Sequence, residues 1–114
     1  MKASAAQNSQ KITGCLKRSS CPVTNTLDLI GDKWTLLIIR DMMFLKKASF
    51  NEFLHSIEGI ATNILTDRLK RLEEYGIIKK SPYRLTKRGE ELKSLLKEIV
   101  RWGSKHIEGT KGRR

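Results

Sequence analysis

Residues 62–71, TNILTDRLKR, combine two kinds of side chain that bind other molecules without reacting with them. The threonines and the asparagine carry hydroxyl and amide groups that donate and accept hydrogen bonds, and the arginines and the lysine carry positive charge. Such groups are suited to contacting the base edges and the phosphates of a nucleic acid. The candidate binding residues in this segment are Thr62, Asn63, Thr66, Asp67, Arg68, Lys70 and Arg71.

The same segment has the periodicity of an amphipathic helix. Counted at about 100° per residue, Leu65, Leu69 and Leu72 form a narrow apolar stripe, and Asn63 and Lys70 lie opposite it. The pattern predicts a helix over residues 61–75 that packs through its leucines and turns its polar side chains outward. A polar outer face is also usual for any helix of a soluble domain, so a purely structural helix remains the alternative at this point.

Capping signals predict the helices that precede this segment. Pro22 can start a short helix, and Asp32 is placed as the N-cap of a strongly apolar helix that follows. Ser49 with Glu52 three residues later has the spacing of a capping box, which predicts a further helix. The apolar helix also carries Asp41 on its apolar side, where we expect an arginine such as Arg68 to pair with it.

A short hairpin and a last helix are predicted after the candidate segment. Gly76 ends the segment, and the runs IIKK and YRL lie on either side of Ser81 and Pro82 as two short strands. Thr86 is placed to cap one long helix over residues 87–107. Helices followed by a two-stranded hairpin are the element order of a winged helix-turn-helix, a mainly α fold with a small β-hairpin wing, in which the third helix of the unit enters the major groove.

Further basic and polar residues are expected to contact DNA phosphates. Ser49 lies at a predicted helix N-terminus, where backbone N–H groups attract anions. The hairpin adds positive charge at Lys79, Lys80 and Arg84.

Composition and charge agree with a polyanionic partner. The chain has 114 residues, enough for one compact domain, and 23 basic against 12 acidic residues give a formal charge of +11. Double-stranded DNA is the expected partner. A membrane surface would require a basic amphipathic helix, which the scattered basic residues do not form, and the sequence has neither a membrane-spanning run nor a signal peptide, so a cytoplasmic location is expected. The two cysteines and two histidines show no metal-binding spacing, and no catalytic pattern or cofactor motif indicates an enzyme.

The expected organisation is a flexible basic arm over residues 1–20, a DNA-binding domain over residues 21–108 and a basic tail over residues 109–114. The last predicted helix has an apolar stripe wider than one core contact requires, which favours burial against a second copy of the chain. The residues predicted for this dimer interface are Leu27, Leu95, Ile99, Trp102 and Ile107.

The chain contains five blocks in this order: CPVTNTLDLIGDKWTLLIIRDM, FNEF, GIATNILTDRLKRLEEYGII, LTKRGEEL and VRWG. Together these blocks resemble the HxlR-type transcription regulators of bacteria and archaea, which are relatives of the MarR group. The resemblance covers residues 21 to about 107. It implies a homodimeric winged-helix protein that dimerises through N- and C-terminal helices and binds a two-fold symmetric operator, with residues 61–75 as the recognition helix. Compared with the family, the segment KKSPYR between the strands is short, which predicts a wing with fewer DNA contacts.

The resemblance also places Cys21 where some family members carry a redox-sensing cysteine. A thiol near a helix N-terminus, with Lys17 and Arg18 nearby, would have a lowered pKa and a more reactive thiolate. The alternative is a small, partly buried residue at the domain edge. Cys15 is an open candidate for pairing either with Cys21 or with its counterpart in the second copy of a dimer. For the whole chain the main hypothesis is a sequence-specific dimeric transcription regulator. If Cys21 senses oxidation, the regulator would also be under redox control. The alternatives are a nonspecific architectural DNA-binding protein and a protein-binding winged helix; no small-molecule effector can be named from the sequence.

Overall fold

The structure, a computed structural model, describes residue 12 and residues 20–109. The predicted basic arm, apart from residues 12 and 20, and the end of the predicted tail lie outside the described residues. The helices and strands of the structure, in chain order, are α1 (Pro22–Ile30), α2 (Lys33–Phe44), α3 (Phe50–Ser56), α4 (Thr62–Glu74), β1 (Ile78–Lys79), β2 (Arg84–Leu85), α5 (Lys87–Glu90) and α6 (Lys93–His106). This is the order of a winged helix-turn-helix, so the predicted fold class is confirmed.

The predicted helix starts are present. The Asp32 carboxylate accepts the backbone N–H of Thr35 and so caps α2. At α3, the Ser49 hydroxyl accepts the N–H of Glu52 while the Glu52 carboxylate accepts the N–H of Ser49, which completes the capping box. These caps are local in sequence, and each satisfies backbone N–H groups that have no partner within the helix.

The last helical region differs from the prediction. The Thr86 hydroxyl accepts the N–H of Gly89 and caps a helix as expected, but that helix ends at Glu90, and α6 starts at Lys93. Between them the N–H of Leu92 bonds to the carbonyl of Gly89, three residues back, as in a tighter 3₁₀ turn. The prediction of one continuous helix over residues 87–107 is therefore wrong.

The core lies between α2, α4 and the wing. It includes side chains that are fully buried or nearly so, among them Ile38 and Ile39 of α2, Phe53 of α3, and Leu65 of α4. These residues come from the apolar faces that the sequence periodicity indicated. The core therefore fixes the position of α4 relative to the rest of the domain.

Asp41 is fully buried, and its partner differs from the predicted one. The guanidinium of Arg40 lies 2.8 Å from Asp41 Oδ1, so the buried carboxylate does pair with an arginine. Arg68, which the sequence suggested, instead binds Asp32. A partner adjacent in sequence was available, and the position of α4 directs Arg68 toward the start of α2.

The wing is a short antiparallel hairpin. Ile78 pairs with Leu85, and Lys79 pairs with Arg84. The backbone N–H of Tyr83 also donates to the carbonyl of Ala48 (3.0 Å), which ties the wing to the loop before α3. Each strand has two residues and lies within one of the predicted runs, IIKK and YRL, but is shorter than that run.

Candidate nucleic-acid interface

Helix α4 has a buried face and an exposed polar face. Leu65, Leu69 and Leu72 are at most 3% exposed and hold the helix against the core. Outside this face the helix carries exposed polar and basic side chains, four of which we call the recognition surface: Thr62, Asn63, Thr66 and Lys70. The N-cap of this helix is Ala61 and its C-cap is Tyr75, so the predicted bounds of 61–75 are confirmed.

The hydroxyl of Thr66 has one of its hydrogen-bonding roles already occupied. It donates to the backbone carbonyl of Thr62 at 3.0 Å, one turn earlier in the helix. A hydroxyl has a single hydrogen, so Thr66 presents only lone pairs and a methyl group to a partner. These groups suit a base amino group or a thymine methyl group, whereas the exposed Asn63 amide can both donate and accept.

Arg68 connects α4 to the start of α2. Its Nε donates to Asp32 Oδ2 at 3.0 Å, and its Nη1 donates to Asp67 Oδ2 at 2.6 Å. Burial acts to raise the pKa of Asp32, but hydrogen bonds from Thr35 and Arg68 outweigh burial, and the pKa is lowered. The hydrogen bond to Asp32 is in turn the main cause of the raised pKa of Arg68. In this arrangement Arg68 links α4 to the start of α2, and its predicted contact with DNA stays a prediction.

Asp67 is exposed on α4, and its carboxylate forms ion pairs with two neighbouring arginines. Its Oδ2 lies 2.6 Å from Arg68 Nη1 and 3.2 Å from Arg71 Nε. The exposed Arg71 is thereby held along the helix surface. Lys70, by contrast, forms no ion pair within residues 20–109, so it is the α4 cation best placed to meet a phosphate.

The C-terminal end of α4 is fixed by residues that follow the wing. Arg88 Nη1 donates to the carbonyl of Tyr75 at 2.8 Å, and the Thr86 hydroxyl donates to the carbonyl of Gly76 at 2.6 Å. The Thr86 N–H also donates to the carbonyl of Ile77 at 3.0 Å. Sequence reasoning predicted Thr86 only as the cap of its own helix and missed Arg88, because carbonyl groups on another element leave no local sequence signal.

Ser49 is exposed at the start of α3, but its capping groups are already used. Both its hydroxyl and its N–H bond to Glu52, and the Glu52 carboxylate also accepts the N–H of Ala48 at 2.8 Å. The bond from Ala48 is the main cause of the lowered pKa of Glu52, which therefore keeps its negative charge at this end. The structure thus gives Ser49 a capping role, and its predicted phosphate contact remains a prediction.

The wing carries the other predicted cations. Lys80 and Arg84 are exposed and Lys79 is half-buried. None of these three forms an ion pair with another residue in the described range 20–109. Their charge is therefore available to an anionic partner.

Cys21 is exposed and occupies the N-cap position of α1. Hydrogen bonding to the backbone N–H of Thr24, followed by bonding to the Thr24 side chain and the Val23 N–H, lowers the pKa of the Cys21 thiol. The lowered pKa agrees with the expectation for a thiol at a helix start, and the redox role of Cys21 stays a prediction. Cys15, Lys17 and Arg18 lie outside the described residues.

An exposed apolar stripe runs along α6. Leu95, Ile99 and Trp102 are 40%, 48% and 56% exposed, and Ile107 just after the helix is 53% exposed. The Trp102 ring lies 4.7 Å from the ring of His106, between centroids. Leu96, at 5% exposed, is the one buried residue of α6, so most of the apolar surface of this helix faces away from its own domain.

A second set of exposed apolar side chains lies on α1. On α1, Leu27 is 57% exposed and Val23 is 64% exposed. Val23 was not among the residues predicted for the interface, although it lies one helical turn before Leu27.

Two other kinds of site are not found in the described part of the chain. Within residues 20–109, no group of three or more His, Cys, Asp or Glu side chains could hold a metal ion. Of the helices described, none is long and apolar enough to cross a membrane.

Comparisons with known proteins agree with this geometry. The family model described as HxlR-like helix-turn-helix matches residues 29–111. The uncharacterized HTH-type transcriptional regulator sll1512 of Synechocystis sp. is 32% identical over 97 residues, which are 77% of this chain and 71% of the relative. YdeP of Bacillus subtilis, also an uncharacterized HTH-type transcriptional regulator, is 34% identical over 95 residues, covering 75% of this chain and 73% of the relative.

Solved structures show the same fold. The crystal structure of PA1607, a proposed transcription factor, has a TM-score of 0.73 at 39% identity and covers 86% of this chain and 73% of that protein. The redox regulator HypR in its reduced form has a TM-score of 0.67 at 31% identity, covering 77% and 95% respectively. The chain therefore belongs to the HxlR-like helix-turn-helix family of transcriptional regulators.

Proposed function

We propose that this regulator binds specific operator DNA as a homodimer and that α4 reads the bases in the major groove. The observation that carries the proposal is the recognition surface, where Asn63, Thr66 and Lys70 are exposed on a helix whose other face is buried. A groove-reading helix requires this combination of firm attachment and short outward polar side chains. The formal charge of +11, and wing cations that form no ion pair among residues 20–109, support binding to a polyanion.

Direct reading by α4 can be separated from phosphate binding by two kinds of variant. Asn63→Ala with Thr66→Ala should weaken binding to the selected operator by about 1–3 kcal/mol for each lost base contact and leave nonspecific binding nearly unchanged. Lys70→Ala should weaken binding to all duplexes and reduce the salt slope by about 1. The operator would first be selected from a random DNA pool, and affinities measured by fluorescence anisotropy over a range of salt concentrations.

The main alternative is a nonspecific architectural DNA-binding protein. It predicts that selection yields no preferred sequence and that the Asn63 and Thr66 variant loses equal affinity on every duplex. Either result would refute sequence-specific reading.

The proposed homodimer is supported by the apolar stripe of α6 and the exposed apolar residues of α1. Several exposed apolar side chains along one face of a helix, as on α6, mark an interaction site. A two-fold dimer would place two α4 helices in successive major grooves, with half-sites about one helical turn apart. Trp102→Ala should raise the dimer dissociation constant, measured by sedimentation, because aromatic residues at the centre of an interface contribute most to binding. Lys97→Ala, on an exposed part of the same helix, is the control and should leave the constant unchanged.

A redox response is a second proposal, and it rests on Cys21. The thiol is exposed and its pKa is lowered by the start of α1. HypR, which has the same fold, is described as a redox regulator. Treatment with diamide should change operator binding of the unmodified chain, and Cys21→Ser should abolish the change. Unaltered binding by protein that mass spectrometry shows to be oxidised at Cys21 would end this proposal.

A further inference from the structure

A cavity of about 590 Å³ lies between the C-terminal end of α2, the loop after it, the second strand of the wing and the start of α6. We call it the wing cavity. Its volume is within the range of about 300–1,000 Å³ that is usual for small-molecule sites. No residue of the recognition surface lines it, whereas Arg84 of the wing does. The wing cavity is therefore distinct from the base-reading surface but shares a cation with the proposed DNA contact.

One side of the wing cavity is apolar and adaptable. Met42 and Met43 line it and are only 6% and 7% exposed, and Leu85 and Tyr83 come from the wing. The Tyr83 ring is held by an aromatic contact with Phe53, at 5.8 Å between centroids. Methionine side chains adjust to irregular shapes and contact aromatic groups favourably, so this side can receive an apolar ligand body.

The rest of the lining is mainly basic. Lys46, Lys47, Arg84 and Lys93 line the wing cavity, and Glu90 is the one carboxylate among its lining residues. None of these charged side chains forms an ion pair with another residue between positions 20 and 109. Cations gathered around a partly enclosed apolar space attract an anion more strongly than cations scattered over a surface.

The backbone that carries these groups is fixed by hydrogen bonds. The N–H of Lys47 donates to the carbonyl of Asp41 at 3.0 Å, and the N–H of Tyr83 donates to the carbonyl of Ala48 at 3.0 Å. The loop that lines the wing cavity is thus joined to α2 by one bond and to the wing by the other. A ligand would need to order side chains but not the main chain, which lowers the cost of binding.

We propose that the wing cavity binds a small organic anion with an apolar body. The apolar part would pack on Met42, Met43 and Tyr83, and the anionic group would bind the surrounding cations. The ligand would also occupy Arg84, so it would compete with DNA phosphates for the wing. The competition rests on the proposed function, whereas anion binding does not.

Binding is tested on the full chain without DNA, with 3-phenylpropanoate as the probe and its neutral amide as the matched compound. Calorimetry and NMR should show saturable binding of the carboxylate, with shifts at Tyr83 and Leu85, and much weaker binding of the amide. Lys93→Gln should weaken carboxylate binding about three- to tenfold, because it removes one charge-assisted contact at a partly exposed site. Lys97→Gln, on α6 but outside the cavity lining, should bind the probe like the unmodified chain.

Absence of saturable binding, equal binding of the amide, or equal losses in the two lysine variants would overturn the site. A second measurement tests the competition, using the affinity for a fixed DNA duplex with and without saturating 3-phenylpropanoate. We expect weaker DNA binding with the carboxylate and no effect of the amide. Unchanged DNA affinity at saturation would overturn the competition, and a failure to bind DNA at all, with anion binding intact, would refute the proposed function alone.

Discussion

Replacing Arg68 by methionine tests whether a charged bridge between α4 and α2 positions the recognition helix. Methionine keeps an unbranched side chain about as long as the arginine chain up to Nε, but it lacks the guanidinium. The substitution removes the 3.0 Å bond to Asp32 and the 2.6 Å bond to Asp67. The Arg68 side chain is 20% exposed and the Asp32 side chain 35% exposed, so the bridge is partly screened by water. We therefore expect the free energy of unfolding to fall by about 1–2 kcal/mol, below the full value of a buried charged hydrogen bond.

The measurement is urea denaturation followed by circular dichroism at one fixed protein concentration, because dimer formation would make stability depend on concentration. The matched control is Arg71→Met, which removes the 3.2 Å contact between two side chains that are each 47% exposed. That control should cost no more than about 0.5 kcal/mol.

A double-mutant cycle isolates the bridge itself. Asp32→Asn keeps a good N-cap for α2 but removes the charge that Arg68 binds. The cost of Arg68→Met should be smaller by about 1 kcal/mol in the Asp32→Asn background. If Arg68→Met is as stable as the unmodified protein, or if the two costs add without coupling, the bridge does not stabilise the position of α4.

Three further predictions follow from the same contacts. The pKa of Asp32 is lower in the folded state than in the unfolded state, where it is about 3.9. The contribution of Asp32 to stability is therefore complete above that unfolded pKa and is lost as pH falls through the lower folded value. In acid denaturation, the stability difference between the unmodified protein and Arg68→Met should shrink below about pH 4. Gly89→Ala should destabilise the domain by about 1–3 kcal/mol in urea denaturation, because a Cβ there would lie 2.3 Å from the Ile77 carbonyl oxygen. An unchanged denaturation midpoint would show that the backbone at Ile77 can move to make room. Ser49→Ala should cost about 1 kcal/mol through loss of the capping box, with Ser56→Ala as the control that should cost much less.

The sequence predicted those features that depend on neighbouring residues. The caps at Asp32 and Ser49 follow from side chains that reach backbone N–H groups three residues later, and the leucine stripe of α4 follows from helical periodicity. The exposed apolar stripe of α6 was likewise predicted from its spacing, with Trp102 at its centre.

The features that the sequence did not predict depend on how distant elements pack. Arg68 had several carboxylates within reach of a plausible fold, and only the position of α4 beside the start of α2 selects Asp32 over Asp41. The break after Glu90 follows from the tighter turn between Gly89 and Leu92, in a stretch whose residue types would also suit a continuous helix. The wing cavity is formed by residues far apart in the chain, so no local pattern could indicate it.

The hydrogen bonds between the end of α4 and the start of α5 also have a mechanical consequence. Thr86 and Arg88 donate hydrogen bonds to the backbone carbonyls of Tyr75, Gly76 and Ile77. These bonds leave little room for the end of α4 and the start of α5 to move independently. The helix that bears the apolar stripe begins only a few residues later. In a dimer assembled through that stripe, a rotation of one α6 against its partner would also rotate the two α4 helices relative to each other. The separation of the two half-sites in the operator would then be set by residues that never contact DNA.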